Sequence, residues 1–257
     1  MLALIPCRKG SKRLPGKGMK LLGGKPLIDF TLRAAYDSEC FTKVVVSTDW
    51  KEVAEYAAGW YGCEIVMRPP HLAEDLSPDI AWVKHALGTL DYRLTTEHKV
   101  GAESLSSWDG YQDFSILRPT SPFRGPETIE RAKVQWAAIG RHYDSMRAVR
   151  RASETGWKQW TSNGLEAAMS PQDFEIEPLT SAAAKKYLHS RPTQSLTPTF
   201  IQTAALEMCW TRVPLETGTI SGEKVAGFLT EGLEALDLND ERDWEEAERA
   251  LSQIQSR

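Results

Sequence analysis

The sequence is poor in the residues that build disulfide frameworks and metal modules. Its 257 residues contain four cysteines and five histidines. No C-x-x-C pair occurs and no histidine stands at ligand spacing from a cysteine, which excludes a cysteine-based zinc module. Cys7, Cys40, Cys63 and Cys209 read as small buried hydrophobes of a reducing compartment. None of the histidines has a serine or cysteine partner at motif spacing, so a hydrolase triad is not indicated. No run of 18 apolar residues exists, and no transmembrane helix is expected. The short apolar opening, with its positive charges after it, is unlike a secretory leader. These absences read as a cytoplasmic protein with no membrane partner. At 41% hydrophobic and 26% charged residues the composition is that of an ordinary folded protein. The length suits one large domain or two small ones.

Acidic residues are missing from one place. Residues 8–25 carry Arg8, Lys9, Lys12, Arg13, Lys17, Lys20 and Lys25, and the first acid after them is Asp29. The whole chain has a net charge of −4, from 31 basic and 35 acidic residues. Setting the seven aside leaves 24 basic residues against 35 acidic ones, a balance of −11. Nucleic acid would favour a broader basic face, so no nucleic-acid partner is expected. A compact basic loop on an acidic body suits a small polyanion such as a triphosphate.

Hydrophobic patterning places that loop. Residues 2–6 read as a short buried strand. Helical spacing runs from Leu27 to about Ser38, with Pro26 just inside. Lys43–Thr48 is a continuous β-branched run, as in a buried parallel strand. Asp49 is placed to cap a helix from Trp50 to about Trp60. Glu64–Met67 is a further strand, and Ser77 opens a helix to about Leu90. Ser115–Leu117 is a strand, and Pro126 begins a helix to about Ile139. This alternation predicts an α/β fold, a mostly parallel sheet flanked by helices. Ligands in such sheets sit at the carboxyl ends of the strands, where the basic loop lies.

The rest is patterned differently. Residues 91–113 are polar and read as a surface insertion. Ser145–Val149, Trp157–Thr161, Leu206–Val213 and Val225–Leu229 read as strands of mixed orientation. The interval 164–200 is rich in Ser, Thr and Pro and reads as an extended arm. A closing strand near Ala235–Leu238 precedes a last helix from Asp240 to about Gln255. The expected organisation is a core of residues 1–140 and 201–257, with an arm over 141–200. Trp50, Trp60, Trp82 and Trp136 fall in helices and read as packing residues.

Arg8-Lys9-Gly10-Ser11-Lys12-Arg13-Leu14-Pro15-Gly16-Lys17 is the sharpest feature. Glycines let backbone N–H groups approach an anion, and the cations supply charge. The spacing is neither that of a P-loop nor that of a dinucleotide fingerprint. With Leu22-Gly23-Gly24-Lys25-Pro26 it resembles the N-terminal signature of sugar-activating cytidylyltransferases, the acylneuraminate (CMP-sialic acid synthetase) branch in particular. Further segments stand in the order of that branch. They are Val46-Ser47-Thr48-Asp49, Arg68-Pro69 with Leu72-Ala73-Glu74-Asp75, Leu117-Arg118-Pro119-Thr120-Ser121-Pro122, and Leu236-Asp237-Leu238-Asn239.

The resemblance implies a Rossmann-like nucleotidyltransferase core and the reaction of CTP with a sialic-acid-like sugar acid, giving CMP-sugar and pyrophosphate. Arg8 and Lys17 would be catalytic, holding the triphosphate. Gly10, Ser11, Lys12, Arg68 and Asp75 would complete the nucleotide site. Arg118, Thr120, Ser121, Arg191 and Gln194 would meet the sugar. Asp237, with Asp240 beside it, would hold Mg²⁺ or Mn²⁺. Relatives dimerise through such an arm, implying a homodimer in which Lys185, Lys186 and Arg191 reach the neighbour's sugar carboxylate. Three positions depart from the family pattern. Gly18 stands for its asparagine, Arg118 for its glutamine, and Asn239 for a second aspartate. They keep two alternatives open: a nucleotidyltransferase of the same fold using another NTP or sugar, and a non-catalytic nucleotide-binding homologue.

Overall fold

The computed structural model describes residues 1–10, 12–97, 112–152, 157–159, 176–178 and 198–256. In chain order the first elements are β1 (Leu2–Pro6), β2 (Leu21–Leu22), β3 (Lys25–Pro26), α1 (Leu27–Asp37), β4 (Lys43–Thr48) and α2 (Lys51–Tyr61). Then come β5 (Glu64–Met67), α3 (Asp79–Glu97), β6 (Asp113–Ile116), α4 (Pro126–Ile139) and β7 (Ser145–Arg151). The remainder are β8 (Trp157–Gln159), β9 (Ile176–Pro178), β10 (Phe200–Trp210), α5 (Arg212–Thr217), β11 (Val225–Leu229) and α6 (Glu241–Gln255).

Seven strands form one sheet in the order β11-β7-β10-β6-β1-β4-β5. The run β6-β1-β4-β5 is parallel, and β10 lies antiparallel against β6. Period-two alternation explains how apolar strands bury both faces. Ala3, Ile5, Val44 and Val46 pack with Ile28 and Leu32 of α1, Val53 of α2 and Ile129 of α4. Leu2, Leu4, Val45 and Val66 pack with Val83, Leu87 and Leu90 of α3 and Val213 of α5. The helices therefore cover both faces, as the alternation predicts. The strand order reverses at β1, with β4 on one side and β6 on the other. That arrangement opens a crevice at the carboxyl ends of β1 and its neighbours.

The chain divides into two compact units. The larger is Met1–Ala148 with Thr203–Arg257, and the smaller is Val149–Gln202. In the smaller unit β8 and β9 pair antiparallel, Trp157 opposite Pro178. The expected arm residues 160–175 and 179–197 lie outside the described residues.

Several expectations are corrected. Asp49 does not cap α2, whose N-cap is Trp50 without a side-chain bond. The Asp49 carboxylate instead accepts from Lys9 N at 2.8 Å. The third helix begins at Asp79 and runs to Glu97, so the first residues of the expected insertion 91–113 are helical. Residues 98–111 of it lie outside the described residues. The strand expected over Leu206–Val213 starts earlier, at Phe200, and ends at Trp210. Arg212–Thr217 turns into a short helix, with Pro214 in its first turn, where a missing N–H costs nothing. No closing strand forms at 235–238. Residues 232–235 make a 3-10 turn, and the extended residues after it are tied by Leu238 N to Thr120 O at 2.8 Å.

Candidate active site

The turns that leave the carboxyl ends of the parallel strands build the site. Beyond β1, Cys7 N donates to Ser47 O at 3.0 Å; beyond β5, Arg68 N donates to Thr48 O at 2.7 Å. These bonds extend the ladder by a residue and aim Arg8 and Arg68 at the crevice. Beyond β6, the Arg118 carbonyl accepts from Arg124 Nη1 at 3.4 Å, and the same Nη1 donates to Ala205 O at 2.7 Å. Arg124 is fully buried, and burial pushes its pKa down to about 9, leaving it a cation at neutral pH. It braces the turn that carries Arg118.

The basic loop is pinned at its far end. Leu14 is buried with Leu22, Leu27, Leu238, Trp244 and Ala247, a cluster that joins the loop to α6. Lys20 Nζ lies 4.1 Å from the Trp244 ring centroid and pairs with Glu241 at 3.0 Å. Gly16 adopts φ +65, a left-handed conformation that favours glycine. Gly18 is required by space: a Cβ there would stand 2.4 Å from Cys7 Sγ. The Cys7 thiol thus fills the volume beside the position where the family pattern has asparagine. Burial pushes that thiol up to about 12, so it is a neutral wall and not a nucleophile.

A cleft of about 390 Å³ results. Of the expected site residues, Arg8, Gly10, Lys12, Lys17, Arg68, Asp75, Arg118 and Thr120 all line it. Ser11, Arg191 and Gln194, with Lys185 and Lys186, lie outside the described residues. Ser121 is buried and absent from the cleft wall; its N–H closes a turn onto Arg118 O at 3.3 Å. The lining includes six cations and two carboxylates, a strong positive excess. The lining residues that come as additions include Arg13, Asp79 and Trp82. Trp82, read as packing, is 2% exposed and supports the Arg68 guanidinium 4.6 Å from its ring. By contrast Trp60, also read as packing, is 77% exposed.

Electrostatics distinguish the cations. Lys17 Nζ donates to Leu238 O at 3.2 Å. Burial lowers its pKa below the ordinary 10.5, opposed by nearby Asp237. Arg68 is lowered to about 10 by burial, against the pull of Asp49 and Asp79; its Nε donates to Ser47 Oγ at 2.8 Å. Its Nη2 is buried without a hydrogen-bond partner. The Asp75 carboxylate pairs with Lys12 at 3.0 Å and Arg8 at 2.9 Å, and these bonds hold it below the usual carboxylate range.

The two candidate metal residues have different surroundings. Asp237 Oδ1 is buried without a hydrogen-bond partner, while Oδ2 accepts from Asn239 Nδ2 at 2.9 Å. Asn239 in turn accepts from Arg13 at 3.2 Å, so it orients Asp237 instead of adding a second carboxylate. Asp240 is the N-cap of α6, its carboxylate accepting from Arg242 N and Asp243 N. Among the described residues no group of three His, Cys, Asp or Glu side chains could hold a metal by itself.

Fold and cleft together define a mostly parallel α/β sheet with a cationic cleft at the carboxyl ends of its strands. A solved structure of a CMP:2-keto-3-deoxy-manno-octonic acid synthetase complexed with CTP has the same fold, with a TM-score of 0.61 at 16% identity, covering 98% of both chains. A cytidylyltransferase family model matches residues 2–94. The CMP-N,N'-diacetyllegionaminic acid synthase of Legionella pneumophila is 43% identical over 133 residues, 51% of each chain. The N-acylneuraminate cytidylyltransferase of Escherichia coli O18:K1:H7 is 37% identical over 124 residues, covering 48% of this chain and 25% of that protein. The matches thus span about half or less of these relatives' length. The chain resembles the acylneuraminate cytidylyltransferases, as its motifs imply.

Proposed function

We propose that the protein transfers a cytidylyl group from CTP to a sialic-acid-like (nonulosonic) sugar acid, releasing pyrophosphate. The observation that carries this reading is the cationic cleft at the ends of parallel strands, whose lining up to Trp82 lies within the stretch the cytidylyltransferase model matches. The anomeric hydroxyl attacks the α-phosphate in line, and pyrophosphate leaves. Arg8 and Lys17 neutralise charge on the α-phosphate and the leaving group; Gly10, Ser11 and Lys12 add contacts from the same loop. Arg68, stacked on Trp82, is rigid enough to fix the nucleoside end. Asp75 releases Arg8 and Lys12 to the phosphates. The sugar lies towards Arg118 and Thr120.

The residues present fit a divalent cation such as Mg²⁺ or Mn²⁺. Asp237 Oδ1 is a buried, unpartnered carboxylate oxygen, and Mg²⁺ commonly takes one or two carboxylates together with phosphate oxygens and water. Bound there, the metal would supply charge neutralisation at the phosphates. Asp240 is engaged as a helix cap, so Asp237 is the residue that would hold the metal.

We take the protein to be a homodimer through residues 141–200, because Trp157, Trp160, Phe174 and Tyr187 depart from the strand–helix pattern of the core. The cytoplasm is the compartment its scattered cysteines suit. Among the described residues no helix is long and apolar enough to cross a membrane. Pyrophosphate release with each of four nucleoside triphosphates and a panel of nonulosonic acids tests the reading. Release should need both CTP and a sugar acid. Release with another NTP favours the same-fold alternative, and none with any pair favours a non-catalytic binder.

A further inference from the structure

Four charged side chains run from the cleft into the sheet. Arg118, just beyond β6, donates to Glu207 Oε1 from Nε at 3.0 Å and from Nη2 at 2.7 Å. The same Nη2 donates to Asp79 Oδ2 at 2.6 Å. Glu207 projects from β10 and is 3% exposed. Its other oxygen is ion-paired with Arg147 of β7. Arg147 Nη2 donates onward to Ile220 O and Ser221 Oγ, both at 2.8 Å. Trp82 Nε1 donates to Asp79 Oδ1 at 2.7 Å and holds that carboxylate in place.

Asp79 and Glu207 offset the charges of Arg118 and Arg147, with Arg68 also near Asp79, whereas the loop end gathers Arg8, Lys12, Arg13 and Lys17 against Asp75, with Asp237 near Lys17. A guanidinium has five N–H groups. Three of Arg118's are committed to Glu207 and Asp79, and the two that remain are on Nη1. A bidentate grip on a carboxylate or phosphate through Nη1 and Nη2 would have to displace Asp79 or Glu207. An anion arriving at Nη1 would also stand near the Asp79 carboxylate, whose repulsion offsets the attraction of the guanidinium. A neutral oxygen meets no such repulsion.

We propose that Asp79 and Glu207 are positioning residues that turn Arg118 into a charge-compensated hydrogen-bond donor, selecting a neutral oxygen of the acceptor sugar, a hydroxyl or an acylamido carbonyl. The sugar's carboxylate and the phosphates are bound elsewhere. This inference rests on the sugar-acid reading of the cleft.

The test compares N-acetylneuraminic acid with its carboxamide at saturating CTP in wild type, Arg118→Met and Arg118→Gln. Affinity is read as KM, or as an inhibition constant against whichever acid the panel shows to be turned over. Arg118→Met should weaken both compounds by the same factor, about tenfold for one lost hydrogen bond from a charged donor, and leave the KM for CTP within about twofold. Arg118→Gln, which keeps a neutral donor, should stay within about threefold of wild type. It also serves if the methionine variant fails to fold. Collapse of the acid-to-amide preference in either variant would make Arg118 a carboxylate reader and overturn the proposal. A raised KM for CTP with acceptor affinity unchanged would make it a phosphate reader and overturn it equally. A protein that turns over no sugar acid at all overturns the proposed function first, and this inference with it.

Discussion

Lys17→Ala should separate catalysis from stability. The ammonium is partly buried and donates to one protein acceptor, Leu238 O at 3.2 Å. Removing it forfeits a bond from a charged donor, about 1.5–3 kcal/mol. It also removes a cation that burial disfavours, as the lowered pKa reports. The two effects oppose each other, so folding stability should change by only about 1 kcal/mol, or about 2–4 °C in melting temperature at this size. The transition state has no such offset. Losing one charge contact preorganised for developing phosphate charge costs about 10²–10³ in rate. The assay is pyrophosphate release at saturating CTP, with calorimetric melting of the same samples. The direction of the shift sets the sign of the pH dependence. A lysine lowered below 10.5 loses its charge as pH rises through its folded value, so kcat/KM for CTP should fall on an alkaline limb beginning below 10.5. Lys17→Arg keeps its charge and should lack that limb. In the same window the unfolded chain holds more protons at this residue than the folded one, so stability relative to a Lys17→Gln control should rise with pH. Wild-type release by a well-folded Lys17→Ala protein would refute the phosphate-loop assignment.

Gly18→Ala should destabilise by about 1–3 kcal/mol, the usual cost of overpacking, because its Cβ would lie 2.4 Å from Cys7 Sγ. Cys7→Ala in the same chain should recover most of that loss, and thermal melts showing additive effects of the two changes would disprove the contact. Asp237→Asn should sharply raise the Mg²⁺ or Mn²⁺ needed for half-maximal turnover, since it weakens a carboxylate with a buried oxygen that has no hydrogen-bond partner; full activity in excess chelator would remove the metal from the mechanism. Trp244→Ala should cost about 3–5 kcal/mol and, where the protein still folds, raise the KM for CTP by unpinning the basic loop; an unchanged KM would show that the loop holds its shape without α6. Light scattering at micromolar concentration should report a dimer, and a monomer that still turns over would exclude a shared site.

What the sequence makes legible here depends on how local each cause is. The strands Leu2–Pro6, Lys43–Thr48, Glu64–Met67 and Val225–Leu229 and the helix Pro126–Ile139 agree with expectation because short apolar runs and a proline at the first helical turn act within a few residues. The cleft-lining cations of the loop are legible for the same reason: Arg8, Lys12 and Lys17 are one loop. The failures are long-range. Asp49 has the composition of a helix cap, yet the Lys9 N–H arrives from 40 residues away and takes its carboxylate. The 236–239 segment has strand-like apolar residues, but it finds Leu14 and Trp244 as packing partners and no strand to pair with. Arg118 is read in sequence as a residue that meets the sugar, and its ion pairs with Asp79 and Glu207 at 2.6 and 2.7 Å are not visible there. Glu207 lies 89 residues from Arg118, so no local pattern predicts the contact. A signal was nonetheless present. An acid flanked by Leu206 and Met208 in a strand of apolar residues must be paired or pay a large desolvation cost, and it therefore announces a buried cation somewhere in the fold. That rule requires a partner without saying which. Only the antiparallel placement of β10 beside β6, with Glu207 in register with Ile116 two residues before Arg118, selects it.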